Sequence, residues 1–366
     1  MKKLSNKKVV TGLAFALVLL ASLVLGCSTP APAPAPAPAL APAPSPKPAP
    51  APAPASKVSG ERWVFPTMGG PVQEREITAL SEALQERSEG RIPQLVPTDR
   101  KALGHKGPET WDVISTGGFE MGAVNGNYMS GQEPIMATQG LPLVYTGEQY
   151  PAVKAANDPH FAKLAEKYNL TLLATMDYPN VMWTNIELNT IADVRNLQFR
   201  TSSSTACAAL GYMGAECITM SGGDIYAAMA TGLINGFSFS EGSHYSYKHY
   251  EVTNYGYLSP VFNGAAVLFV INNASLSSLF AEDQKILIDT FKEWEPKLVA
   301  NAHLSPELLA DLKTKETVFD SVSLDLVKEM QAAGPKQAWN EWAEKYPEVT
   351  PLMDSMFGAI GVDWRN

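Results

Sequence analysis

The chain has 366 residues, is 45% hydrophobic and carries 28 basic against 37 acidic side chains, for a formal charge of −9 at pH 7. A surface this acidic repels a phosphate backbone, which excludes a nucleic-acid partner. Its three cysteines are too few for a disulfide scaffold, so the fold must rest on an apolar core.

The first predicted element is an address. Lys2, Lys3, Lys7 and Lys8 precede an apolar run over 12–25 that is too short and too early for a mature membrane span. This pattern predicts a lipoprotein signal peptide over 1–26, ending in "LVLGC", with Cys27 as the lipidated residue that anchors the protein to a membrane outside the cytoplasm, in the periplasm or at the cell surface. Removing the signal takes away four lysines and no acid, which moves the formal charge from −9 to −13. A Pro/Ala-rich linker follows over 27–57. Its alternating prolines lack every second amide donor and favour polyproline II, so it reads as a spacer rather than part of a core.

The remaining 58–366 have the length of two lobes. "RWVFP" (62–66) predicts a strand, and 74–89 places Ile77, Leu80 and Leu84 on one face of a helix that stops at Gly90. "RIPQLVP" is a second strand, and "PETWDVISTGGFEMGAVNG" reads as a helix, a glycine stop and a buried strand. This βαβαβ order marks an α/β unit. A second unit starts in "LTLLATMDYPNVMWTN" (170–185), with one or two strands. In "VRNLQFRTSS", Leu197 and Phe199 point inward before Arg200, and residues 202–204 offer N-caps for a helix bearing Ala206, Ala209, Leu210 and Met213. Gly214 ends that helix; "ECITM", a helix over 224–231 and "LINGFSF" follow. Cys207 and Cys217 fall on the helix and the following strand, and their pairing stays open. The last third holds one strand, "AAVLFVIN", and then long helices: 281–315, interrupted at Pro296 and at "SPE" (305–307), 324–332 and 336–345.

Several chemistries have no motif here. The five histidines form no HExxH and no cluster with cysteine, so no metal site is expected. The sequence also lacks a GxSxG elbow, a phosphate-binding P-loop and a GxGxxG turn, so no cofactor and no catalytic residue is named.

Over 141–240 the sequence resembles the substrate-binding proteins of tripartite ATP-independent periplasmic (TRAP) transporters, the DctP type. "LPLVYTGEQ" is similar to the family's "LPFLF" segment. "DVRNLQFRTSSSTACAALGYMGAECITMSGGDIYAAMATGLINGFSFS" follows its order of an arginine-ending strand, a helix closing on Leu-Gly-Ala, a strand, a tyrosine-bearing helix and a glycine turn. The resemblance implies an α/β, two-lobed periplasmic-binding-protein-like fold with a ligand cleft between the lobes and long C-terminal helices. The lobes would comprise 58–178 plus 265–300, and 179–264 plus 301–366. It implies an extracytoplasmic solute receptor, not an enzyme, that binds a small carboxylate and delivers it to TRAP membrane permease subunits. A sensor or scavenger of the same fold without a permease, and a secreted enzyme acting on small acids, are the alternative readings.

In that family the arginine closing the strand binds the ligand carboxylate, and Arg200 holds this position. A guanidinium presents a planar fork of donors to a carboxylate, and a helix N-terminus beside it adds favourable partial charge. The competing reading is an ion pair with Asp193 or Asp224. Further candidates are Tyr178, Asn180 and Trp183 on one strand, with Trp183 as the aromatic wall; Asn125 and Tyr128 in "VNGNY"; Phe65 and Met68 in "FPTMGG"; Gly222, widening the pocket; and Phe239 in "GFSFS". Tyr226, three residues before Met229, is assigned to the core. A second arginine that the family often has near position 180 is missing, and residues 235–240 replace a polar family turn. These departures predict a rather apolar cleft for a single carboxylate on an aromatic, branched or 2-oxo acid.

Overall fold

The computed structural model describes residues 61–68, 71–105, 107–129, 131–259, 262–300 and 303–365. The predicted signal peptide (1–26), the linker (27–57) and Cys27 lie outside the described residues.

Eleven strands make three sheets among the described residues. β1 (Arg62–Thr67) and β2 (Gln94–Asp99) pair in parallel around the helix Pro71–Arg87, whose Ile77, Leu80 and Leu84 are fully buried, as the 3.6-residue spacing requires. β3 (Met121–Asn125) and β4 (Leu170–Asp177) come next. β5 (Val181–Thr184), β6 (Gln198–Thr201), β7 (Glu216–Thr219), β8 (Gly236–Phe239) and β9 (Tyr255–Tyr257) follow. β10 (Ala266–Asn272) and β11 (Thr317–Phe319) complete the set.

The first lobe combines the β1-β2 pair with the antiparallel sheet β3-β10-β4. β10 is covered on both faces, which explains its unbroken apolar run. Val267, Phe269 and Ile271 meet Trp63, Phe65 and Phe291, while Ala266, Leu268 and Val270 meet Trp111 and Phe161. The second lobe is the six-stranded sheet β11-β9-β5-β8-β6-β7. There Met182 faces Phe199, Leu210 and Phe262, whereas Val181 and Trp183 face Ile225, Phe237 and Leu312.

Two short crossings join the lobes, at residues 178–180 and 263–265, and they bond to each other: Tyr178 N–H donates to Ala265 O and Asn180 N–H to Asn263 O, each at 3.0 Å. Asp177, at the end of β4, ties them down. It accepts hydrogen bonds from Ala265 N at 2.9 Å, Tyr145 Oη at 2.6 Å and Gln139 Nε2 at 3.2 Å. Only glycine fits at 264, because a Cβ there would collide with Tyr145 Oη and Asp177 Oδ1. The C-terminal helices reach both lobes: Pro335–Lys345 packs on Ser204–Tyr212, and Thr350–Ala359 on Tyr150–Lys167.

Several expectations change. Pro296 does not interrupt its helix, which runs over Ala281–Ala300; Pro296 is exposed and near the last turn, where water can satisfy the carbonyl it leaves unbonded. The helix Tyr150–Lys167 is absent from the sequence reading, since two prolines and few large apolar side chains mask its pattern. Tyr226 is exposed and donates to Glu251 at 2.9 Å, because the buried stripe of its helix is Ile225, Ala228 and Met229. Cys207 and Cys217 do pair, with Cα atoms 5.2 Å apart, joining the helix Ser204–Tyr212 to β7.

Candidate functional site

The carboxyl ends of the strands converge on one cleft between the lobes, the usual place for a ligand in open α/β sheets. The space within it, counting what opens to solvent, is about 620 Å³, of which about 60 Å³ admits the centre of a water molecule. The first lobe contributes Met68 beyond β1, Arg100 and Lys101 beyond β2, and Asn125 and Tyr128 at and beyond the end of β3. The second contributes Tyr178 and Asn180 from the crossing, Arg200 and Ser202 around the end of β6, and Phe239 at the end of β8. Ser221, Gly222 and Gly223 after β7 close that side.

Arg200 is the most constrained of these. Alternation along β6 puts Phe199 in the core and turns Arg200 to the opposite face, where it is 1% exposed. Nε and Nη2 donate to Met220 O at 2.9 and 2.5 Å, and Nη1 donates to Ser238 O at 3.1 Å. The Phe239 ring lies 5.7 Å away. Five N–H donors serve three bonds, so two are left for another acceptor. The alternative ion pairs do not form. Asp193 closes a capping box with Thr190, and Asp224 is exposed and makes no salt bridge with Arg200. Burial lowers the Arg200 pKa to about 10, which leaves it cationic at neutral pH.

Two expected site residues are elsewhere. Trp183 is fully buried behind the wall, stacked on His244 at 3.6 Å with its Nε1 donating to Phe239 O at 3.0 Å, because alternation along β5 sends it toward Phe237 and Leu312. Phe65 is fully buried against Phe269, on the same side of β1 as Trp63. Gly222 lines the cleft, but the space it leaves goes to the Phe239 ring, whose Cζ would be 2.9 Å from a Cβ at that position.

The sequence reading missed Arg100, Lys101, Ser243 and Tyr247. Arg100 follows the end of β2 much as Arg200 closes β6, the one signal that could have found it. Its backbone N–H bonds Thr67 O at 3.2 Å, and its guanidinium lies 5.4 Å from the Tyr128 ring centre. Lys101 reaches across the mouth, with Nζ 2.6 Å from the place a Cβ of Gly223 would take. No acidic residue is among those described as lining the cleft. The premise of a single cation therefore fails.

The family model described as bacterial extracellular solute-binding protein, family 7 (DctP), matches residues 70–345. The chain belongs to this family. A solute-binding protein of Chromohalobacter salexigens is 22% identical over 288 residues, 76% of this chain and 83% of the relative. DctP7 of Bordetella pertussis, a receptor binding pyroglutamic acid, superposes with a TM-score of 0.72 at 18% identity, over 81% of this chain and 99% of its own. A marine metagenome TRAP solute-binding protein specific for aromatic acid ligands, with 3-hydroxybenzoate bound, gives 0.71 at 19% identity, over 83% and 98%. At such identities the two structures establish the two-lobed fold alone.

In this DctP protein the cleft wall has a polar support. His244 Nε2 meets Glu316 Oε1 at 2.5 Å, and Glu316 Oε2 accepts from Thr253 Oγ1 at 2.6 Å, all buried. His249 stands between this pair and the cleft, its ring 5.5 Å from Phe239 and 5.7 Å from Tyr247. Burial, with His244 and Arg200 adding to it, lowers His249 to about 3, so it is a neutral wedge behind the aromatic wall.

Proposed function

We propose that this protein is an extracytoplasmic receptor that holds the carboxylate of a small organic acid on Arg200 and hands it to a TRAP-type permease. One observation carries the reading: a buried guanidinium, oriented by two carbonyls, meets no carboxylate among the described residues and keeps two donors for a ligand. An unpaired buried charge is costly, and a ligand carboxylate removes that cost through charge-assisted bonds. The similar proteins from Bordetella pertussis and the marine metagenome bind pyroglutamic acid and 3-hydroxybenzoate, each of which bears a carboxylate.

In this reading Met68, Asn125, Tyr128, Tyr178, Asn180 and Phe239 touch the ligand, with Gly222 placing Phe239. No bond is made or broken. The lobes, 58–178 with 265–300 and 179–264 with 301–366, close about the crossings at 178–180 and 263–265, while lipidated Cys27 holds the receptor at the membrane.

The test is a thermal-shift screen against a panel of carboxylates, run beside Arg200→Ala and Arg200→Lys. A ligand that raises the wild-type melting temperature is expected to lose at least ~2 kcal/mol of binding, about 30-fold, in Arg200→Ala. Full retention of that shift in both variants would reduce Arg200 to a structural part.

A further inference from the structure

Arg100 has no role in the reading above, yet like Arg200 it lines the cleft from beside a strand end. Only 8% of it is exposed. Among the described residues its guanidinium meets no carboxylate and no carbonyl, and it lies over the face of Tyr128. A buried arginine with no protein acceptor for its guanidinium among the described residues, in a cleft whose described lining holds no acid although Asp99 and Glu74 stand near enough to act on Tyr247, is suited to an anion.

The two guanidinium groups serve different parts of the cleft. Arg200 belongs to the second lobe, beneath Phe239 and beside His249, on which its charge acts. Arg100 belongs to the first lobe, and its charge acts on Tyr178 and Tyr247. The space is walled by the rings of Tyr128, Tyr178, Phe239 and Tyr247, with Met68 among them. Rings on several sides favour a flat, ring-bearing body that can stack, and they offer little to a polyhydroxylated one.

We propose that Arg100, with Lys101 at the mouth, forms a second anion subsite, so that the preferred ligand is an aromatic dicarboxylate held by Arg200 from one lobe and Arg100 from the other. This rests on the carboxylate-receptor reading and deepens it. Pyroglutamic acid and 3-hydroxybenzoate each carry one carboxylate, so the second charge is what separates this chain from those proteins. A ligand charged at both ends also couples recognition to closure, since its two carboxylates would bond to guanidinium groups on different lobes.

Isothermal titration of the purified protein with benzoate, benzene-1,3-dicarboxylate and benzene-1,4-dicarboxylate, at one fixed salt concentration, tests this. One of the dicarboxylates is expected to bind at least about tenfold tighter than benzoate, the size of one desolvated charge contact. Arg100→Gln is expected to bring that ratio to near unity, and Arg100→Lys, which keeps the charge, to retain part of it; melting curves of both variants control for folding. Benzoate binding as tightly as both dicarboxylates, or a ratio unchanged in Arg100→Gln, overturns the inference. So does silence from all three compounds. If the wider carboxylate panel is also silent, the receptor reading falls with it; if that panel yields a ligand lost in Arg200→Ala, only the second subsite is refuted.

Discussion

Asp177 shows how much one residue can set at a lobe crossing. Burial raises its carboxyl to about 6 despite three hydrogen bonds that favour the charged form. A carboxyl whose pKa is higher folded than unfolded stabilises the fold while protonated. Its contribution is therefore complete below the unfolded value, near 4, and is lost as the pH rises through about 6. The loss is expected to reach roughly 3 kcal/mol by pH 8. Urea midpoints for wild type should fall between pH 4 and 7 relative to Asp177→Asn, and parallel profiles would show that the charge is better solvated than its burial implies. Residues of this kind divide by how much of their setting is local. The place of Arg200 at the end of β6 was readable because alternation along its strand and the cap that follows it are both local. Trp183 was misplaced because alternation says that a side chain faces away from Met182, but not which face of the sheet is covered. Arg100 was missed because nothing in "PTDRK" marks one basic residue of a pair as buried; that depends on which strand end abuts the other lobe.

Strands and helices with strong periodicity were legible in the sequence, among them β1, β10 and the helix Pro71–Arg87, because burial on one or both faces imposes the pattern directly. The helix Tyr150–Lys167 was not, since it is held by the C-terminal helix Thr350–Ala359, a partner some 200 residues away that no local window contains. The Cys207–Cys217 bond was equally hidden, because the sequence does not give the angle between a helix and the strand after it. This bond staples the helix that follows Arg200 to β7, and β7 leads directly to Met220, whose carbonyl orients the guanidinium. Closing so short a loop is worth about 2–3 kcal/mol in the chain-entropy account. Reduction, or Cys207→Ser with Cys217→Ser, should lower the unfolding free energy by that amount and weaken ligand binding less than Arg200→Ala does. Equal denaturation midpoints with and without reductant would mean that the helix and strand hold each other without the bond.

At the scale of the whole molecule, an acidic chain surrounds a cleft whose charged lining residues, among those described, are all basic. The overall plan, two α/β units and a helical tail, was readable from element order, but the way the tail reaches both lobes was not, since helix packing partners leave little trace in composition. The proposed anchor also belongs to this scale. Cys27→Ala should move the protein from the membrane fraction to the soluble extracytoplasmic fraction without altering ligand affinity; retention at the membrane would point to another tether. The position of Lys101 beside Gly223, across the mouth, has a kinetic meaning. In the proposed closed, ligand-bound state an acid leaves only after the lobes part, so its residence time is governed by the frequency of opening as well as by the strength of its own bonds. Acids of quite different affinity would then share one ceiling on their escape rate, and a membrane partner that pries the mouth apart would hasten release without competing for a single ligand contact.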